Sequence, residues 1–254
     1  MVKICMKNAK TWKMCVGAMA NLVGEIVLKL TPEGIRARAI DPSHVALVDL
    51  ELPAAALDGY EIGQPTSLGV NLLEMSKIMA RAKPTDEMTI ELDEQKNRLA
   101  LTFRGATTRK FDISLIDIRE AELPEPKLQF VASAGILAGM IQEGLKDAEL
   151  VSGTIKLLLD NEGFVMSAEG DKGTTELALG KDNKALTGHD AKQSAKSMYD
   201  IGQLGNMVKA AASADIVTVN MGTDLPIQVD CPVADGKGRL RFILAPRIDN
   251  AENR

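Results

Sequence analysis

The chain repeats itself. Glu33-Gly34-Ile35 followed by Ala39 returns as Glu162-Gly163-Phe164 followed by Ala168, an offset of 129 positions (162 − 33 = 129). The same offset carries Leu50 onto Leu179, Ile78 onto Met207, Ala82 onto Ala211, Asp86 onto Asp215 and Thr89 onto Thr218. Leu99, Leu101 and Phe103 fall on Ile227, Val229 and Cys231 at 128 (227 − 99 = 128), and Phe111, Ile113 and Leu115 fall on Leu240, Phe242 and Leu244 at 129 again (240 − 111 = 129). Two collinear copies separated by a one-residue indel account for all of these matches. A period this long marks duplicated domains, since solenoid repeats run at about 20 to 50 residues. The 254 residues give each copy about 125 residues, enough to bury a core of its own.

Aromatic residues make up 3% of the chain, so Leu, Ile, Val, Ala and the 12 Met must fill those cores. A pocket walled by stacked aromatics is not expected. No apolar run approaches the roughly 18 residues that span a bilayer, and Met1-Val2-Lys3-Ile4-Cys5 leads into polar sequence. Membrane association is therefore not expected, and the chain reads as cytosolic or nuclear. Cys5, Cys15 and Cys231 form no CxxC pair and leave one thiol over from any disulfide, which suits a reducing compartment and buried thiols. The net charge of −5 argues against a general polyanion binder unless the charge is unevenly spread.

Each copy reads as a strand, a helix, several strands, a second helix and closing strands. In the first copy the periodicity predicts a strand over 2–6 and a helix over 8–23, on which Trp12, Val16, Met19 and Val23 share a face. Strands follow over 25–30, 34–40 and 45–52, and a helix over 72–82 is stopped by Lys83-Pro84. The stretches 88–92, 99–103 and 109–116 complete the copy as strands. Second-copy helices are expected over 134–147 and 200–212. Asp117 to Lys127 holds two prolines and several charges and reads as an extended linker, so the domains are 1–116 and 128–254. Ile118 and Leu123 in that linker have little use in water and are expected to dock. The polar stretch 181–197 reads as a surface loop.

Catalytic chemistry is hard to find. His44 and His189 are the only histidines, no GxSxG, HExxH, GxGxxG or phosphate-loop motif occurs, and Gly180-Lys181 lacks the upstream glycine of such a loop. Asp41 and His44 have the chemistry of a base and its orienter, but a turn with His44 at the surface is the simpler reading. No catalytic residue, metal site or cofactor is assigned. A duplicated small-molecule enzyme remains the weaker alternative and would need a deep polar pocket.

Charge patterning points elsewhere. If Trp12, Val16 and Met19 face inward, Lys10 and Lys13 face out; if Leu72, Met75 and Met79 face inward, Lys77 and Arg81 face out as well. Lys146 and Lys209 lie opposite the apolar stripes of the third and fourth helices. Each helix thus presents a cation, with Glu143 offsetting Lys146. Such a surface suits shallow, salt-dependent contact with phosphates and no sequence reading.

Four ordered segments carry a family resemblance: Asp41-Pro42-Ser43-His44-Val45-Ala46-Leu47-Val48, then Gly69-Val70-Asn71-Leu72 with Met75-Ser76-Lys77-Ile78, then Leu115-Ile116-Asp117, and Leu244-Ala245-Pro246-Arg247-Ile248. In order, spacing and duplication the chain resembles the proliferating-cell-nuclear-antigen sliding clamps, and its short polar tail is more similar to archaeal members. The resemblance implies an α+β fold of two similar duplicated domains, in a homotrimeric ring with helices inside and antiparallel sheets outside. It implies a DNA polymerase processivity factor without catalysis or cofactors, enclosing duplex DNA and lined by Lys10, Lys13, Lys77, Arg81, Lys146 and Lys209. Localisation would be cytoplasmic with the nucleoid, or nuclear in a eukaryote.

The same resemblance implies partners that insert a short apolar and aromatic peptide motif beneath the linker: DNA polymerase, clamp loader, flap endonuclease and DNA ligase. The matching positions are Ile40, His44, Val45 and Leu47, then Ile118, Leu123 and Pro124, then Pro226, Ala245, Pro246 and Ile248. Ring closure would set 109–115 of one subunit beside 174–179 of the next, with Lys110, Phe111 and Ile113 meeting Glu176 and Leu177. A subunit that closes only with nonidentical partners is the remaining alternative.

Overall fold

The computed structural model describes residues 1–83, 85–118, 126–212 and 215–248. The first copy runs β1 (Val2–Met6), α1 (Lys10–Ala20), β2 (Glu25–Thr31), β3 (Gly34–Ile40), β4 (Ala46–Pro53), β5 (Gly59–Ile62), β6 (Thr66–Asn71), α2 (Leu72–Ala80), β7 (Glu87–Asp93), β8 (Arg98–Arg104) and β9 (Thr108–Ser114). The second runs β10 (Ala132–Leu137), α3 (Ala138–Glu149), β11 (Thr154–Asp160), β12 (Gly163–Gly170), β13 (Gly173–Gly180), β14 (Leu186–Ala191), β15 (Ala195–Asp200), α4 (Ile201–Val208), β16 (Ile216–Met221), β17 (Ile227–Val233) and β18 (Gly238–Leu244). The two successions match element for element. Contacts group the described residues into one unit drawn from 1–42, 48–118 and 232–240, and another drawn from 43–47, 126–231 and 241–248.

In the first unit one antiparallel sheet has the order β5-β1-β7-β8-β9, and β6-β2-β3-β4 form a second run. Trp12 of α1 is fully buried and lies among Val2, Ile4, Leu28, Leu30, Ile35, Met75, Ile90 and Leu99, side chains drawn from both sheets and from α2. In the second unit β13-β12-β11-β15 form a sheet, and β10 pairs with β14 and β16 while β16 pairs with β17. Ile136, Leu157, Leu159, Phe164, Leu204 and Met207 are buried there. Strand alternation explains both cores, because every second residue of a strand faces the same side.

The duplication reaches individual hydrogen bonds. Asn71 accepts from the Glu74 N–H at 3.0 Å to cap α2, and Asp200, at the equivalent position, accepts from the Gln203 N–H at 2.9 Å to cap α4. The Leu72 N–H donates to Gly24 O at 2.8 Å, and the Ile201 N–H to Gly153 O at 3.1 Å. Asp86 accepts from the Lys83 N–H and Asp215 from the Ala212 N–H, each at 2.8 Å. Tyr60 donates its hydroxyl to Thr31 O; His189, in the equivalent place, donates from Nε2 to Asp160 O. Gly34 and Gly163 both adopt positive φ, and a Cβ would lie 2.3 Å from Leu52 O in the one and 2.1 Å from Leu179 O in the other. Only glycine fits those turns.

Several elements differ from the sequence expectation. α1 is shorter at both ends than 8–23, and Val23 is buried beyond its C-terminus. The start of the expected 134–147 helix is strand instead: Ala132 to Leu137 has only one β-branched residue, Ile136, to announce a strand, yet it is laddered between β14 and β16, and tertiary pairing decides its state. The expected loop 181–197 contains β14 and the start of β15, whose buried residues Leu186, Ala191, Ala195 and Ser197 are too small or too widely spaced to read as an apolar strand.

Candidate functional site

α1 buries Trp12, Cys15, Val16, Ala18 and Met19, and α2 buries Leu72, Met75 and Met79. The remaining faces carry Lys10, Lys13, Lys77 and Arg81, all exposed. The two helices pack against each other, and Lys13 Nζ donates to Ala80 O at 3.3 Å and Ala82 O at 3.1 Å. Its charge therefore sits on the carbonyl end of α2, where the helix dipole is negative. Arg109 of β9 adds a second cation, donating to Arg81 O at 2.7 Å and forming an ion pair with the buried Asp86. Lys13 is exposed as the periodicity requires, but it is also a structural cap.

In the second unit α3 buries Ala138, Ile141, Gly144, Leu145 and Ala148. A Cβ at Gly144 would come within 2.9 Å of Met166 Sδ, so the glycine permits close approach of α3 to the sheet. Lys146 is exposed, as are Glu143, Asp147 and Glu149. α4 ends at Lys209, also exposed, whose Nζ donates to Asn206 Oδ1 at 3.4 Å. Gln142 donates to Val208 O at 3.2 Å and Ala211 O at 3.1 Å, repeating the role of Lys13 without its charge.

The expected peptide-binding positions fall into both units. Ile40 and Ile118 belong to the first and are half-buried. The Ile116 N–H donates to Gly69 O at 3.0 Å, and Ile118 Cγ1 would lie 3.1 Å from a Cβ at Gly69, so the linker's start does dock. Leu123 and Pro124 lie outside the described residues. In the second unit the Ala245 N–H donates to Val45 O at 2.8 Å. Val45 is 39% exposed and Ile248 85%, while Pro226, Ala245 and Pro246 are half-buried and Leu47 is buried. Apolar side chains left this open are what a docking peptide would cover.

That corner is braced. The Arg247 N–H donates to Met198 O at 2.7 Å, and its guanidinium pairs with Asp200 at 2.7 Å. Burial opposes ionisation of Asp200, but the Arg247 hydrogen bond, the Gln203 N–H and the charge of Arg247 outweigh it and hold the carboxyl below its ordinary value. Tyr199 donates its hydroxyl to Leu225 O at 2.8 Å, and burial pushes its pKa up to about 12. Leu225, exposed beside Pro226, is a candidate contact that a lone leucine in a polar turn gave no reason to select. His44 is exposed at φ 58°, whereas Asp41 is 4% exposed. Asp41 is thus a buried carboxylate, whose exposure the sequence reading of a turn leaves open.

β9 and β13 each end their sheet. Lys110 is exposed on β9, Phe111 is half-buried with its ring 5.7 Å from that of Phe103, and Ile113 is buried. On β13 Glu176 is exposed and Leu177 half-buried. Among the described residues no group of three His, Cys, Asp or Glu could hold a metal ion, and no helix is long and apolar enough to cross a membrane.

Residues 1–123 match the family model described as proliferating cell nuclear antigen, N-terminal domain. The chain is 36% identical over 247 residues to the DNA polymerase sliding clamp of Pyrococcus furiosus, covering 97% of this chain and 98% of that one. It is equally similar over the same shares to the Thermococcus gammatolerans clamp. Among solved structures, the clamp of Thermococcus kodakaraensis superposes at a TM-score of 0.93 with 29% identity, covering 97% of this chain and all of that one. The A. fulgidus clamp, solved with the C-terminal region of FEN-1 bound, superposes at 0.88 with 26% identity over 98% of this chain and all of that one. With collinear similarity of this extent, and a duplication repeated to the level of single caps, the chain belongs to the proliferating-cell-nuclear-antigen family of DNA polymerase sliding clamps.

Proposed function

We propose that the chain is a DNA polymerase processivity factor that closes into a homotrimeric ring around duplex DNA and tethers replication and repair enzymes to it, without catalysis of its own. Membership of the clamp family is the observation that carries this reading. Domains 1–116 and 128–254 joined by the linker 117–127 would supply the repeated wall. β9 of one subunit would pair with β13 of the next, since two exposed sheet edges are otherwise an aggregation liability and a head-to-tail contact closes by rotation. Lys110 and Glu176, both exposed, would then bring opposite charges to the boundary.

Lys10, Lys13, Lys77, Arg81, Lys146 and Lys209 are the DNA-facing cations in this reading. Val45, Pro226, Ala245, Pro246 and Ile248, with Ile40, His44, Leu47, Ile118, Leu123 and Pro124, would receive a short apolar and aromatic motif from a polymerase, clamp loader, flap endonuclease or ligase. The relative solved with the C-terminal region of FEN-1 bound supports a terminal peptide as the occupant. Such a protein would work wherever chromosomal DNA lies. Topology supplies the test: the chain is placed on nicked circular plasmid by a clamp loader with ATP and then gel-filtered. Co-elution with the circle and loss on linearising it is the expected result; equal retention on both forms would contradict enclosure.

A further inference from the structure

The two helix pairs share one backbone frame but not one charge. Along the 129-residue offset, Lys10, Lys13, Lys77, Arg81 and Lys83 correspond to Gly139, Gln142, Asn206, Ala210 and Ala212, and no basic residue of the first set is repeated. The frame itself is unchanged, as the paired caps, the Gly24 and Gly153 carbonyls and the Asp86 and Asp215 turns require. Corresponding positions therefore occupy corresponding places within each unit.

With each helix taken together with its C-cap, the first pair carries Lys10, Lys13, Lys77 and Arg81 against Glu74, and the second Lys146 and Lys209 against Glu143, Asp147 and Glu149. The charges sit on exposed side chains in both. In the first pair Lys13 and Arg109 already satisfy carbonyls at the end of α2. Lys10, Lys77 and Arg81 have no ion pair or side-chain hydrogen bond among the described residues and are available to phosphates. In the second pair Glu143 lies three residues from Lys146 on α3, close enough to offset it.

We propose that duplex DNA is held by the first unit's helices alone, through Lys10, Lys77 and Arg81, and that α3 repels it. The inference rests on the enclosing-clamp reading. Its cause is electrostatic: Lys and Arg gain affinity by releasing counterions from phosphates, and three carboxylates on α3 act on any phosphate within a Debye length of roughly 8 Å. A homotrimer would then offer three attachment places in place of six, and the duplex would ride against one or two of them off the ring's axis.

The test is binding of a fluorescent 30-base-pair duplex to the full-length chain by anisotropy over a range of KCl, with native mass confirming that each variant keeps the parent's oligomeric state. K10Q/K77Q/R81Q is expected to weaken binding at low salt at least about tenfold and to lower the slope of log K against log salt by about 0.9 for each phosphate that is no longer neutralised. K146Q/K209Q is expected to change affinity by less than about twofold, and E143Q/D147Q/E149Q to strengthen it. Equal weakening by the two lysine sets, or no gain from removing the α3 carboxylates, would overturn the asymmetry while leaving the clamp intact. Absence of saturable binding by the unmodified chain at low salt would overturn the claim that these helices hold DNA, while enclosure, which needs no affinity for a free duplex, is decided separately by retention on the loaded circle.

Discussion

Cys15 and Cys231 are buried in different units, and burial pushes both thiols up to about 12, so neither is a thiolate at neutral pH. Cys5 on β1 is half-buried. Treatment of the native protein with a thiol-disulfide reagent at neutral pH should modify Cys5 alone, and denaturant should release all three; rapid modification of two or more in the native state would contradict the packing. Asp200 gives a pH prediction of opposite origin. Its folded carboxyl is held below the ordinary value near 3.9, so its stabilising contribution is complete above that value and fades as pH falls through the folded one. The stability gap between wild type and Asp200→Asn, read from urea melts, should be constant above about pH 5 and narrow in acid. Solvent at the exposed Arg247 keeps the effect small. Residues of this kind were unevenly legible. Glu33-Gly34 and Glu162-Gly163 announce their turns in the sequence, but Asp86 and Arg109 meet only because β7, β8 and β9 fold back on one another.

At the level of elements, helix faces were readable because burial imposes a period of 3.6, and all six expected cations are exposed. What periodicity does not reveal is a second duty. Lys13 donates to Ala80 O and Ala82 O at the end of α2, and Gln142 to Val208 O and Ala211 O at the end of α4; Ala211 is the match of Ala82, and Val208 lies one residue before the match of Ala80. Lys13→Gln should therefore stay within about 0.5 kcal/mol of wild type in a denaturant melt, whereas Lys13→Ala should be destabilised by about 1 kcal/mol. Equal destabilisation by both would show that charge, and not the bonded carbonyls, makes the contribution. Strands were harder to read. β5 has only four residues, β14 is mostly polar, and β10 has a single β-branched residue; each is a strand because of its partners, which a local window does not contain.

For the molecule as a whole, the duplication was the most legible feature, since it survives as matched sheets, caps and turns. Function was legible only through the resemblance carried by four short segments, because tethering rests on surfaces assembled from residues scattered along the chain and not on one compact motif. The unequal basicity of the two copies was visible in composition, yet its meaning depended on the shared backbone frame. Ring closure is the step on which enclosure, the β9 and β13 edges and the placement of the cations all depend. It is tested by the native mass of the purified chain, by light scattering at several protein and salt concentrations. The account predicts three times the 27.3 kDa chain mass, stable on dilution; a monomer or dimer under all conditions would contradict a ring that closes on itself.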